Sequence, residues 1–424
     1  MPFVFFSYQC LVGKAPLSSF MVGFYVYPLL ILSSLTLEGL TIPGLQISES
    51  SANVVRLGIH GAVFIVLALA VLRKYGKLKT PYSFIWASFA LTGMLVSLLV
   101  NQSDADAMAR VLLTWLMMFN IFVLLPSVVS SETYYTVLAR YAVGIALYCG
   151  LFSAYTIWQH GFYPAWSIRL GRPWNPNVLS YLIVTGLVVS FLANVRGWMR
   201  FGLLVMLLLL ASRLDAFLGI VLFLYMGLRD SRWRLATVVS LSFVFIAGIT
   251  VFIQLMAVLP YNELPFTRTR ILSGRDEIWT RGLEQVTRSP WFGIGDRAYV
   301  KINPAEVGVS EMRVHNMPLE MAMSYGLPVS ILSMMVYVFI GRGIYLLSRK
   351  RGDPFNLSTI GLALVGLIFS HALFTTAFWT NLGDGSIILS MIFIVPMSAY
   401  GEYFKKGSSK ATGHMASTVT IGKR

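Results

Sequence analysis

The chain has 424 residues, of which 56% are hydrophobic and only 12% charged, about half the ~25% charged share of an ordinary soluble domain. Its apolar residues gather in runs of about 20, long enough to cross a bilayer, which excludes the soluble, fibrous and disordered classes. The net charge of +15 fits the Lys and Arg enrichment of cytoplasmic loops, and no nucleic-acid partner is expected.

The expected fold is all-α, a polytopic integral membrane protein. Apolar runs fall at 18–37, 54–72, 82–100, 108–127, 138–158, 176–194, 201–212, 214–228, 235–258, 317–341, 357–377 and 385–400. The first run lacks a small-residue cleavage site after it, so it is read as an uncleaved anchor rather than a signal peptide. Arg73, Lys74, Lys77 and Lys79 mark the loop after the second run as cytoplasmic, and the cation-free loop Asn101–Asp106 belongs outside. Cys149 lies inside an apolar run and Cys10 is its only possible mate, so no disulfide framework is expected.

Residues 201–228 test this scheme. A single helix would carry Arg213 at its middle and would put one of two basic loops on the wrong side. Two short segments folding back at Ala211–Asp215 satisfy every loop. Twelve residues reach only about 18 Å of a core roughly 30 Å thick, so Arg213 is expected at depth on the outer side. A charged residue there suggests function; the alternatives are pairing with Asp215 or snorkelling.

The scheme gives about twelve spans and five stretches. These are N-terminal spans (1–164), spans with outer-face arginine loops (165–258), a periplasmic segment (259–316), C-terminal spans (317–404) and a disordered cytoplasmic tail (405–424). Arg169 and Arg172 stand in the outer loop Trp166–Asn177 as one cationic site, although Arg and Trp are also common at membrane interfaces.

Within 259–316, residues 273–289 read as an amphipathic helix. Ser273 and Asp276 fit a capping box, and Pro290 ends the run. Ile278, Trp279, Gly282, Leu283 and Val286 share one face at 100° per residue. Arg281 and Arg288 lie opposite, each four residues after a glutamate, an arrangement that suits surface ion pairs. Arg275 falls on the apolar side, where a cation needs an anionic partner. His315 follows where the chain re-enters the membrane, positioned to act as a base near physiological pH. Its alternative duty is to cap the helix that begins near Met317. His371 reads as a packed polar residue, and His60 and His160 lack supporting partners in the sequence. No Cys/His cluster, HExxH, P-loop or GxSxG is present, so neither a metal nor a cofactor is expected.

Arginines and a histidine gathered at one leaflet suit a lipid with a phosphate or diphosphate headgroup, because the guanidinium fork matches phosphate geometry. The motifs resemble those of the O-antigen ligase and polymerase superfamily of bacterial envelopes. They are Ser212-Arg213, Ser273-Gly274-Arg275, the Pro290-x-x-Gly293-x-Gly295 turn, and His315-Asn316 followed by Leu319-Glu320 and Gly326, with Asn175-Pro176-Asn177 entering an earlier span. The resemblance covers roughly 165–345; Leu214-Asp215 departs from it, since a small residue often follows the arginine.

The resemblance implies a metal-independent, inverting glycosyltransferase of the GT-C-like membrane type, in the bacterial inner membrane with its active site facing the periplasm. The donor would be a polysaccharide on undecaprenyl diphosphate. The acceptor would be lipid A-core in a ligase or another lipid-linked glycan in a polymerase; the ligase is the expectation adopted. His315 would be the base, and Arg213 and Arg275 would hold the leaving diphosphate. Arg172, Arg169, Asn316 and Glu320 would contact substrate. A transporter or flippase would need ionisable residues near the midplane of both halves, whereas residues 1–160 carry almost none within their apolar runs.

Overall fold

The computed structural model describes residues 17–36, 49–74, 78–103, 105–129, 132–160, 176–193, 195–209, 213–229, 275–295, 314, 316–349, 357–374 and 385–403. Among these every regular element is helical. Helix α1 runs through Leu17–Met21, a π-helical stretch Val22–Val26, and Tyr27–Thr36. It is followed by α2 (Glu49–Lys74) and α3 (Ser83–Val100). Helix α4 joins Ala105–Met118, a second π-helical stretch Phe119–Leu124, and Leu125–Val128. Then come α5 (Glu132–His160), α6 (Pro176–Val189), α7 (Gly197–Leu209) and α8 (Arg213–Arg229). The remainder are α9 (Arg275–Arg288), α10 (Met317–Tyr325), α11 (Leu327–Ser348), α12 (Leu357–Phe374) and α13 (Gly385–Tyr403).

Helices α2, α3, α4 and α11 are each long and apolar enough to cross a membrane, and α1, α6, α7, α8, α12 and α13 contain shorter apolar segments. The protein is therefore a helical membrane protein. The expected run 235–258 lies outside the described residues. The expected run 317–341 is corrected: the helix breaks at Gly326, whose φ of +94° and ψ of 160° belong to a region open essentially to glycine alone. Hydropathy does not register a backbone angle, so one apolar run covers two helices.

The expected fold-back within 201–228 is present. Gly219 of α8 packs against Leu207 of α7 with no room for a methyl group between them. Along one continuous helix those positions would stand roughly 18 Å apart, so α7 and α8 are antiparallel.

Small residues set the closest crossings, as expected where backbones must approach inside a membrane. Gly186 of α6 meets Ala146 and the Ala142 carbonyl of α5, and Gly401 of α13 meets the Gly343 carbonyl of α11. Helices α3 and α11 are antiparallel, with the Trp86 and Phe339 rings stacked at 5.1 Å and Gly93 against Val329. The end of the bundle carrying Asn101 and Leu327 is called the upper end here. The lower end carries Tyr82, whose backbone N–H donates to Glu402 Oε2 at 2.7 Å.

Direction then follows along the chain. Gly361 near the start of α12 touches Ile344 and Met397, so α12 rises and ends at the upper end while α13 descends. Tyr181 of α6 donates to Ser390 Oγ of α13 at 2.7 Å and meets the His371 ring of α12 edge-on at 4.6 Å. Helix α6 therefore begins at the upper end. Its lower end is tied to α7 where Arg200 donates to the Ser190 carbonyl at 3.1 Å and lies 4.3 Å over the Phe191 ring. Helix α7 rises from there, and α8 starts at the upper end with Arg213 as its first residue.

His371 is packed in the interior, as expected. His60 is not bare: it shares a hydrogen bond of 2.8 Å with the Tyr25 hydroxyl, and its carbonyl accepts from Asn120 Nδ2 at 2.9 Å. All three are fully buried. Tyr25 sits on one π-helical stretch and Asn120 on the other. Cys149 is buried and in no disulfide.

Candidate functional site

The site is built on a pair of helices at the upper end. Helix α9 lays Ile278, Gly282 and Val286 against Leu319, Ala322 and Met323 of α10, together with the buried Val314. Gly282 is the contact point, because a Cβ there would press on Met323 and Leu319. The two run in the same sense: Trp279 Nε1 near the start of α9 donates to the Val314 carbonyl, just before α10, at 2.8 Å, and the residues after α9 bond the end of α10. The expected apolar face holds for Ile278, Gly282 and Val286, and Trp279 is half-buried. Leu283 is corrected to exposed (58%), since the α10 helix covers a narrower arc than the sequence face spans. Opposite, Arg288 is exposed and Arg281 half-buried.

The Pro290-x-x-Gly293-x-Gly295 turn ties the end of α9 to the end of α10. Ser289 Oγ donates to the Gly293 carbonyl at 2.7 Å. Ile294 and Gly295 N–H groups donate to the Met323 and Ser324 carbonyls at 2.8 and 3.0 Å, supplying partners for carbonyls that the end of α10 would otherwise leave without any. Leu327 N–H returns a bond to the Pro290 carbonyl at 2.7 Å. Gly293 has φ +63° and lies against the Ser324 backbone; the Trp291 carbonyl occupies the space a Cβ on Gly326 would need. The motif's glycines are thus explained by backbone contact. What the sequence did not reveal is the third partner. The Phe292 carbonyl accepts from both Ser97 Oγ and Asn101 Nδ2 of α3, fixing the turn to a helix nearly 200 residues earlier.

At the other end of the pair, Asn316 caps α10, its Oδ1 accepting the Leu319 N–H at 3.0 Å. This satisfies one of the four N–H groups that a helix start leaves over. Glu320 stands half-buried in the first turn of α10, where the helix dipole favours an anion. Arg275 is the first residue of α9, one turn before Trp279. Arg275 therefore starts α9 at the end of the pair where the chain enters α10, and Arg213 starts α8 at the upper end of the bundle.

The side chains of Arg213 and Arg275 lie outside the described residues, as do His315, Arg169, Arg172, Ser212, Ser273 and Gly274 altogether. Among the described residues no three His, Cys, Asp or Glu side chains converge as a shared metal ion would require.

No curated protein matches the chain. Residues 182–334, from α6 through the α9–α10 pair into α11, match the family model for O-antigen ligase, and this part of the chain is similar to the O-antigen ligase-like superfamily.

Proposed function

We propose that this protein is an O-antigen ligase, a GT-C-like transferase of about twelve spans in the bacterial inner membrane. It moves a polysaccharide from undecaprenyl diphosphate to lipid A-core at the periplasmic face. The matched segment holds Arg213, Arg275, His315, Asn316 and Glu320 together, and glycosyl transfer is the chemistry that superfamily supplies.

The observation that carries the reading is the cap of α10. Asn316 bonds the first turn, so the capping duty that offered the simplest alternative for His315 is already filled by its neighbour. In the mechanism, the His315 imidazole takes the proton from the acceptor hydroxyl. That oxygen attacks the anomeric carbon from the face opposite the diphosphate. The bond from the anomeric carbon to the diphosphate oxygen breaks with its electron pair leaving on the diphosphate, and the configuration inverts. Arg213 and Arg275 stabilise the charge as it grows, the electrostatic contribution that is commonly the largest in such a step. Charge neutralisation by two guanidinium forks makes the transfer metal-independent in this reading. Arg172, Arg169 and Glu320 line the substrate path, and Asn316 holds the backbone beside the base.

The test is the lipopolysaccharide profile of cells lacking the protein. Loss of all O-antigen, with long polymer accumulating on the lipid carrier, is the expected result. A core bearing a single repeat would instead assign the protein as a polymerase, and an unchanged profile would refute both.

A further inference from the structure

The turn that ties the end of α9 to the end of α10 presents two large aromatic side chains to the outside. Trp291 is 71% exposed and Phe292 44%. Exposure on this scale is unusual for a segment so firmly held. The Phe292 carbonyl takes two hydrogen bonds from α3, the Pro290 carbonyl takes one from α11, and the Gly293 backbone fixes the turn from behind. The rings are displayed by a rigid mount.

What lies beside them identifies their partner. The turn is clamped between the upper ends of α3 and α11, two of the helices long and apolar enough to cross a membrane. Each carries an outward apolar stripe that runs up to this level, ending in Leu99 and Val100 on α3 (63% and 55% exposed) and Leu327 on α11. A stripe of this kind on a spanning helix faces lipid. Trp291 and Phe292 continue it at the height where the spans end, the level at which aromatic rings favour the headgroup region.

We infer that Trp291 and Phe292 are an interfacial anchor, seating the C-terminal end of the α9–α10 pair in the headgroup layer of the bilayer that α3 and α11 cross. The height of α9 is then set by the lipid surface as well as by protein contacts. This inference goes beyond the transferase reading and stands independently of it, needing only that α3 and α11 span the membrane.

The experiment uses the full chain with Cys10→Ser, buried Cys149 left in place, and bimane attached at Trp291→Cys or, separately, at Glu284→Cys on the exposed side of α9. The parent without either added cysteine corrects for background labelling. Each is reconstituted in 3:1 phosphatidylcholine:phosphatidylglycerol vesicles and quenched in turn by headgroup-level nitroxide lipid and by a water-soluble nickel chelate. At position 291 the lipid quencher should act at least threefold more strongly than the chelate, with the order reversed at 284. Stronger quenching by the chelate at 291 would overturn the inference. So would protection from both quenchers, which would mean a second copy or another protein covers the turn. Phe292→Cys carries the same measurement if Trp291→Cys fails to fold.

Discussion

Two places in this bundle depart from the regular α-helix, and they do so in opposite ways. Around His60 the departure is a pair of π-helical stretches, Val22–Val26 and Phe119–Leu124, that keep their helices continuous. The widened turns carry Tyr25 and Asn120 to His60 in the bundle interior, where the Tyr25 hydroxyl bonds His60 Nδ1 and Asn120 Nδ2 donates to the His60 carbonyl. At Gly326 the helix is broken outright, and the opened backbone of α10 receives a different segment, the turn after α9. The first arrangement closes polar groups on one another; the second opens a helix end toward a segment that carries charge. Polar residues inside an apolar bundle therefore have two different meanings here, and hydrogen-bond bookkeeping tells them apart where composition does not.

The largest effect is expected from removing His315, which precedes α10 in the sequence. His315→Ala should lower turnover about 10²–10⁴-fold, the usual range for a lost general base, while the purified variant melts as the parent does. Turnover of the parent should fall as pH drops, because protonated imidazole cannot accept a proton, and that acid limb should vanish in the variant. His315→Asn retaining full activity would sink the assignment of His315 as base.

Gly326→Ala should come next. Alanine must abandon a φ of +94° and its Cβ meets the Trp291 carbonyl, so a loss of about 1–3 kcal/mol is expected in thermal unfolding, together with loss of activity as the turn lifts from α10. A Gly326→Ala protein with parental stability and activity would show that the break is not what docks α9.

Tyr25→Phe should have the smallest effect. It removes one buried hydrogen bond to His60 and should destabilise by about 1–2 kcal/mol, leaving turnover per folded molecule unchanged. A drop in turnover without a drop in stability would mean the π-helical cluster takes part in the reaction, and the distinction between the two places would fall.

Much of this was legible in the sequence, for physical reasons that can be named. The α7–α8 fold-back was fixed by basic loops at 196–200 and 229–234 that a single crossing would have placed on opposite sides. The amphipathic α9 was legible because Ile278, Gly282 and Val286 recur at the helical period. The break at Gly326 was not, since an apolar run reads the same with or without a backbone turn in it. Nor were the partners of Phe292 and His60 legible. Ser97 and Asn101 stand 195 and 191 residues from Phe292, and Asn120 stands 60 from His60, and no local pattern encodes contacts at such separations. Within the candidate site, Arg213, Arg275 and His315 were singled out by charge at depth and by position, whereas the cap role of Asn316 depends on one backbone angle and one hydrogen bond that only coordinates supply.

Helix α3 has a history that its final position conceals. Its first turn uses no cap of its own; the Tyr82 N–H is satisfied by Glu402, 320 residues later. At its last turn the Ser97 and Asn101 side chains donate to the Phe292 carbonyl, which likewise arrives long after α3 has been made. A ribosome delivers these segments in order at ~5–20 residues per second, so α3 emerges early and waits at least about 10 seconds for Phe292 and about 16 seconds for Glu402. Contacts that span so much chain form late and close large loops when they do. The helix near the beginning of the chain is therefore among the last to be completed, and its completion marks the moment at which the whole bundle has assembled.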